Sequence, residues 1–493
     1  HNSLTLPKDL QMDNTAPKKV LVIGAGPGGL LATINLLRRN NANYQVTLVD
    51  PGVDYGLLDE EGLSKRRSWM IGLSAYGLNA IREIPGLYEE YVEQVGVPIQ
   101  QATMAIGSSL KFTSKVDDDT TGLCVDRNYV CGALARYLND HFGDDDRFVR
   151  RYNTRALFVD GENRKVMVRH NDHPEEMIPL EYDIVLGCDG IRSVVRNAFI
   201  TNHRDFEFDL QGDFGTYKST HLTLPKGVGE GHFMVLLNCM PNVGSFVLPE
   251  RGQKLNVAVG WNLNQKVDEA FYSKDPAVVE AYAQKHFKCF DMDCAEFAQQ
   301  WCSQSFQRTQ MVHCNFYHSG KLQALLLGDA AHATVPNIGQ GMNTAFADAA
   351  VLNRLLDTHQ DDWAQVLPAF SEERVKEGNA LTELSYNTFS ADPTTMALIA
   401  LRQSVHKTLN KILPTWVLEP EPMNEIGKGK LALSEAYDKM VQYGYMAKSR
   451  QINQDIKRAH FEKQVGMVQE RKSSGWTGKV VMAAAVAAVG YGV

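Results

Sequence analysis

The chain has 493 residues, is 44% hydrophobic and carries a formal net charge of −8. That length suffices for two or three domains with ordinary cores, and the acidic balance argues against a general nucleic-acid binder. The eight cysteines form no CxxC pair, and HExxH, GxSxG and GxxxxGK[ST] are all missing, so neither zinc, thioredoxin-like, α/β-hydrolase nor P-loop chemistry is signalled.

Residues 1–17 are polar, contain Pro7 and Pro17, and read as a flexible lead-in. The start at His1 rather than Met points to a removed targeting segment or a trimmed start. The apolar run Val20-Leu21-Val22-Ile23 predicts a strand, and Gly24-Ala25-Gly26-Pro27-Gly28-Gly29 leads into a helix from Leu30 to about Arg39. A second strand, Gln45 to Val49, ends at Asp50. GxGxxG between a strand and a helix, with an acid after the next strand, is the pattern of a dinucleotide site. Gly24 permits the tight turn, Gly26 lets backbone approach a pyrophosphate, and Gly29 lets the helix sit close to the strand. The helix N-terminus offers free N–H groups to the phosphates, and Asp50 is placed for the adenosine ribose hydroxyls. This motif alone does not separate FAD from NAD.

The acidic runs Asp117–Asp119 and Asp144–Asp146 lack an EF-hand pattern and read as solvated loops, so no metal site is assigned. Asp183-Ile184-Val185-Leu186-Gly187-Cys188-Asp189-Gly190 is a buried strand entering a turn, with Ile191 to Arg196 starting a helix. His232 to Met240, Gly244 to Leu248 and Leu255 to Trp261 are further strand candidates. Phe233, Phe246 and Trp261 could line a pocket or simply pack in a core, core packing being the expectation for any one of them. Leu325-Leu326-Leu327-Gly328-Asp329-Ala330-Ala331-His332 repeats the strand-to-turn pattern, and Thr344 to Leu356 is helical. His332 could serve as an acid–base group or pack structurally in this turn, and packing is the expected role. Residues 381–470 read as helical with a break around Pro414 to Pro422. The uninterrupted apolar run Val480–Val493 follows, and a helix of about 19 residues from Gly475 would cover roughly 28 Å, just enough to span hydrocarbon. Trp476, Arg471, Lys472 and Lys479 suit a membrane interface, making 475–493 a membrane-anchor candidate; the alternative is a buried C-terminal helix.

The stretch from Asp183 to Arg196 resembles the "DG" fingerprint of the flavoprotein aromatic hydroxylases, and Gly328-Asp329 resembles their "GD" motif, continued by Pro336, Gly339, Gln340, Gly341, Met342 and Asn343. Within that superfamily the chain is most similar to the kynurenine 3-monooxygenase family, from about residue 18 to 445. The resemblance implies an α/β fold: a Rossmann-like FAD-binding domain (18–85, 120–200 and 320–380), an inserted β-sheet substrate domain (86–119 and 201–319) and a C-terminal helical region (381–470). It also implies an oxidoreductase that binds FAD non-covalently, is reduced by NADPH or NADH, and inserts one oxygen atom into a small substrate, aromatic or polyene. Asp189 and Gly190 then lie by the pyrophosphate. Asp329, next to Gly328, accepts from ribityl hydroxyls, and Pro336 fixes the loop over the flavin ring. Gly339 and Gly341 admit backbone to the ring, and the helix starting near Met342 and Asn343 aims its N–H groups at the flavin edge where charge develops. Arg67 (or its neighbour Arg66) and Arg127 fall where the family places arginines near the cofactor. No catalytic side chain is assigned.

The substrate half departs from the family pattern. Where the family holds a carboxylate with an arginine after a Gly-Ile-Pro-like turn, this chain has Gly96-Val97-Pro98-Ile99-Gln100-Gln101, and no arginine occurs between Arg82 and Arg127. Lys111 and Lys115 are the cations of that window and are expected to face solvent. A rival on the same scaffold is a polyene epoxidase or reductase. A rival from another class is a flavoprotein subunit of a membrane complex with little turnover. The expected location is an organellar membrane, mitochondrial or plastid.

Overall fold

Two strands that are buried along nearly their whole length, Lys18–Ile23 and Ile184–Gly187, pair in parallel at the centre of a six-stranded sheet. The computed structural model describes residues 16–473 except 41, 67, 109, 117–121, 213–214, 263–264 and 389–392. Arg67, the run Asp117–Asp119 and the candidate anchor 475–493 therefore lie outside the described residues. The strand order is His318–Ser319, Ala324–Leu326, Ile184–Gly187, Lys18–Ile23, Tyr44–Val49, Phe148–Arg151, parallel except for the first pair. Such strands read as unbroken apolar runs because both faces of a parallel sheet are covered. The helices Pro27–Leu37, Arg127–Phe142 and Gly341–Thr358 and a three-stranded antiparallel sheet (Thr154–Asp160, Lys165–His170, Ile178–Glu181) contribute to one core with it.

A second six-stranded sheet runs Gly215–Thr223, Lys254–Asn262, Val243–Glu250, His232–Met240, Gln101–Ile106, Leu110–Lys115. Period-two alternation sends Leu222, Val257, Val247, Leu236 and Ala105 to one face. There they pack with the helices Pro276–His286 and Cys294–Ser303. The opposite face carries Tyr217, Ser219, His221, Phe246, Val235 and Met104, aligned across the strands. On this side Val243–Glu250 crosses a small sheet of Met70–Leu73, Leu123–Asp126 and Gly96–Pro98. At one end of that face His221 and Glu250 come near Asp126, the residue before the helix Arg127–Phe142.

The first inserted segment begins later than residue 86. Gly96–Pro98 pairs with Leu123–Asp126, and the turn Leu87–Val92 packs on the helix Arg127–Phe142, so the chain enters the second sheet only at Gln101. Trp261, a pocket candidate by sequence, faces the helix side: it is 5% exposed among Phe271, Trp301 and Phe306. Phe233 and Phe246 share the opposite face, as their register with Ala102 and Val235 requires. The C-terminal region is helical, with Trp363–Asn387, Pro393–Asn410, Leu433–Gln442 and Ala447–Ser473 as its main helices. Among the described residues no helix is long and apolar enough to cross a membrane. The cysteines are free thiols, and no cluster of metal ligands occurs among the described residues.

Candidate functional site

The strand Lys18–Ile23 delivers the chain into a turn that only glycine accommodates. Gly24 has φ +106°, and a Cβ there would lie 2.3 Å from the Cys188 carbonyl oxygen, so the turns after the two central strands press against each other. A Cβ on Gly29 would lie 2.0 Å from the Gly24 carbonyl oxygen, which makes the helix Pro27–Leu37 start directly on the strand end. Gly26 caps that helix, and its missing Cβ would stand 3.8 Å from Arg127 Nη2. Arg127 is the first residue of its own helix, whose Asp126 cap accepts from the Asn128 N–H at 2.8 Å. The guanidinium lies over the Trp69 ring at 5.1 Å and faces the glycine turn. A cation and two helix N-termini therefore converge on one point, the arrangement that holds a pyrophosphate. Arg66 lies 5.8 Å over the Tyr55 ring.

Asp50 has a second task that the sequence did not show. Its Oδ2 accepts from the Ala25 N–H at 2.7 Å and its Oδ1 from the Gly52 N–H at 2.6 Å, so it braces the turn. Each oxygen keeps a lone pair for a ribose hydroxyl. Asp189 is likewise largely structural: Oδ2 accepts from Val194 N–H at 2.7 Å and Val195 N–H at 3.4 Å, capping the helix Val194–Asn202. Its Oδ1 is buried without a partner, an orphaned acceptor beside Gly190, which turns at φ +73°. Burial pushes the Asp189 carboxyl up, against the pull of Ser193 and the helix N–H groups.

The strand Ala324–Leu326 ends at Gly328, whose φ of +57° with ψ of −139° is open only to glycine. Asp329 follows at the N-terminus of a single helical turn, Asp329–His332. Its carboxylate has no hydrogen-bond partner among the described residues and is solvent-exposed, yet the protein around it raises its pKa, opposed by the charges of His332 and Arg127. An accessible carboxylate with dense surroundings is what the wall of a cofactor cleft would present. Pro336–Ile338 forms a tight turn, Gly339 follows at φ +67°, and Gly341 starts the helix Gly341–Thr358 beside the half-buried Met342.

Asn343 is fully buried, and its amide is committed to backbone. Nδ2 donates to the carbonyls of Gly72 (3.0 Å) and Gly339 (2.8 Å), and Oδ1 accepts from the Ser74 N–H at 3.0 Å. It ties the Pro336–Gly341 loop to the strand Met70–Leu73 and leaves the N–H groups of the helix start, through which the sequence reading gave it a role, uncommitted by the side chain.

His332 belongs to a network that sequence reasoning missed. His332 Nε2 lies 2.7 Å from Asp348 Oδ2, which also accepts from the Gly328 N–H at 2.8 Å. Asp348 Oδ1 accepts from Arg374 Nε at 2.7 Å, and all three side chains are buried. Contacts with His332, Arg374 and the Gly328 N–H hold the Asp348 carboxyl down at about 2 despite its burial. This anchors the Gly328 turn to two helices, and it confirms His332 as a packing residue of the turn. The available signal was an acid in the middle of the apolar row Phe346, Ala349, Leu352. A polar pair also faces the cleft side of the second sheet: His221 Nδ1 lies 2.8 Å from Glu250 Oε2, and this contact raises the His221 pKa against burial.

Comparison with known proteins fits this geometry. A family profile described as "FAD binding domain" matches residues 108–385, more than half of the chain. The chain belongs to that family. It is an FAD-dependent monooxygenase of the aromatic-hydroxylase kind. Violacein synthase of Chromobacterium violaceum is 25% identical over 436 residues, covering 86% of this chain and 96% of that one. Kynurenine 3-monooxygenase of Anopheles gambiae is 27% identical over 425 residues, covering 81% and 80%. The fold is shared with Klebsiella pneumoniae HpxO complexed with FAD and uric acid, at TM-score 0.53 and 18% identity, over 74% of this chain and 86% of that one. The orphaned Asp189 oxygen, the unpartnered Asp329 carboxylate and the Arg127 cation over Gly26 fit the polar groups of FAD.

Proposed function

We propose that this flavoprotein takes its electrons from NADPH or NADH and oxygenates an electron-rich, largely apolar aromatic substrate that is not an amino acid such as kynurenine. FAD, when bound, supplies the oxygen activation. The chain's own residues do the rest. Arg127 and the helix starting at Pro27 would neutralise the pyrophosphate, Asp329 would hold the ribityl hydroxyls, and the helix starting at Gly341 would direct its N–H groups at the ring edge that gains charge on reduction. The second sheet would cover the ring and exclude water.

The observation that carries the substrate reading is the chemistry of the cleft-facing side of that sheet. It presents Phe233, Phe246, Val235 and Met104, a polar row of Ser219, His221 and Glu250, and no arginine among the described residues. Lys111 donates to the Cys289 carbonyl at 2.6 Å on the edge strand, and Lys115 is exposed at that strand's end. A carboxylate brought into such a cleft lacks the bidentate guanidinium that normally reads it. Losing one charge-assisted bond lowers binding about tenfold to a hundredfold. The test is NADPH and NADH oxidation by the purified FAD-loaded chain with L-kynurenine and with uncharged indoles and phenols. The expected result is stimulation by uncharged aromatics and little by kynurenine. Efficient 3-hydroxykynurenine formation at micromolar kynurenine would overturn the substrate reading, and no pyridine-nucleotide oxidation with any aromatic would overturn the enzymatic one.

A further inference from the structure

The second sheet meets the first domain in a group of charges that the cofactor chemistry leaves unused. On the cleft side His221 lies opposite Asn256 and Glu250 opposite Lys254, which brings these side chains together at one end of the sheet. His221 Nδ1 is 2.8 Å from Glu250 Oε2. Gln300 pins the His221 backbone from the helix side, accepting from its N–H at 2.7 Å and donating to its carbonyl at 2.5 Å. The strand is thereby fixed, while the His221 side chain is 35% exposed and can exchange its proton with water. The contact with Glu250 raises the His221 pKa from the ordinary 6.5, burial opposes this, Asp126 adds to the rise and Lys254 subtracts from it.

Glu250 and Asp126 belong to different domains and their charges repel, whereas an imidazolium near both attracts both. Burial raises the Asp126 pKa, Ser68 and the N–H groups of Asn128 and Tyr129 lower it, and the Glu250 charge raises it again. A further tie at this end, Arg251 Nη1 to Glu60 Oε1 at 3.3 Å, joins side chains 47 and 76% exposed, and such a pair contributes little. Arginine and lysine keep their charge through neutral pH, so Arg251 and Lys254 give no response there. Tyr129, whose pKa burial raises above 10, stays neutral. We propose that protonated His221 fastens the second sheet to the FAD domain at Asp126, and that losing this proton loosens the sheet there and opens the cofactor cleft at its Arg127 end. Asp126 caps the helix that Arg127 begins, and Arg127 reaches the Gly26 turn. His221 is thus a positioning residue that acts through Asp126 and needs contact with neither FAD nor substrate. Its folded pKa is the higher one, so the tie is complete below about pH 6.5 and is lost as pH rises through the folded value.

The test follows FAD release from the full FAD-loaded chain at pH 6 and pH 9, read as the rise in flavin fluorescence after dilution. Quenching of the bound flavin by acrylamide, a neutral probe, reports the opening itself. Wild type should release FAD about tenfold faster at pH 9 and be quenched more there, the loss of one charge-assisted contact. His221→Gln, which never carries the charge, should release FAD fast at both pH values. His221→Lys, which keeps the charge, should release it slowly at both. Glu250→Gln should move the wild-type transition to lower pH. A wild-type release rate that is the same at pH 6 and pH 9 overturns the inference, as does a His221→Gln protein that keeps the wild-type pH dependence. Should His221→Gln fail to fold, His221→Lys decides alone: a pH dependence parallel to that of wild type overturns the inference, because the response would then come from another group.

Discussion

Replacing Asp348 with asparagine keeps shape and removes one charge, and it isolates what the buried network does for the cofactor cleft. In the wild type one carboxylate serves three donors: the Gly328 N–H, His332 and Arg374, at 2.8, 2.7 and 2.7 Å. The side chains of His332, Asp348 and Arg374 are 1, 1 and 4% exposed, so water cannot take over the lost contacts. Asparagine has one acceptor oxygen, its NH2 must face a donor, and Arg374 becomes an uncompensated buried cation; breaking such a pair costs about 3–5 kcal/mol. At roughly 2–4 °C per kcal/mol for domains of this size, the melting temperature should fall by about 10 °C. The charge also sets an acid limit. The Asp348 carboxyl is held at about 2 against the ordinary 3.8, so it is protonated later in the folded than in the unfolded chain. Its contribution of roughly 2 kcal/mol is fully present above pH 4 and is lost as pH falls toward 2. Melting followed by the fluorescence of released flavin, from pH 7 down to 3, measures both effects, and Asp348→Asn should show the flatter acid profile. The double replacement Asp348→Leu/Arg374→Met, which leaves no unpaired charge, should melt above Asp348→Asn. An Asp348→Asn protein that melts within 2 °C of wild type with full flavin occupancy refutes the reasoning; that margin is about 1 kcal/mol or less.

The other expectations concern the cleft. Asp329→Ala should weaken FAD retention by about 1–3 kcal/mol, since it leaves ribityl hydroxyls unpaired in the cleft. Flavin occupancy after extensive dialysis measures this, and unchanged occupancy refutes the role. Gly24→Ala must place its methyl 2.3 Å from the Cys188 carbonyl oxygen at φ +106°, so the protein should be recovered without FAD or not fold at all. A soluble, flavin-loaded Gly24→Ala protein would show that the two turns do not interlock. Denaturing the wild type should release all its flavin to the supernatant, and colour retained on the precipitated chain would show a covalent link.

The glycine turns were readable because each is decided locally. Gly29 meets a demand set by Gly24 within the same turn, Gly24 and Gly328 take positive φ values that the turn itself imposes, and the strands His232–Met240 and Val243–Glu250 announced themselves by composition. Pairings between distant segments were not readable. Nothing near Asp50 in the sequence shows that Ala25 will donate to it, and Asp348 and Arg374 meet only because two helices cross. The face that Trp261 would choose depended on register: one residue of slip exchanges the two sides of a strand. The tie from the Asn343 amide to the Gly72 carbonyl spans 271 residues of sequence.

The central sheet is also a constraint on when the molecule can fold. Its strands come from residues 18–49, 148–151, 184–187 and 318–326, with the whole second sheet synthesised in between. The nascent chain therefore emerges with Lys18–Ile23 and Tyr44–Val49 paired but with the edge that receives Ile184–Gly187 bare, and the Ala324–Leu326 strand arrives later still. At about 5–20 residues per second that wait is roughly 15–60 s for the last strand, during which unpaired apolar strands are open to chaperones and to aggregation. Ribosome-bound chains halted before residue 318 should accordingly remain protease-sensitive around Ile184–Gly187 and gain protection only once Leu326 has left the exit tunnel.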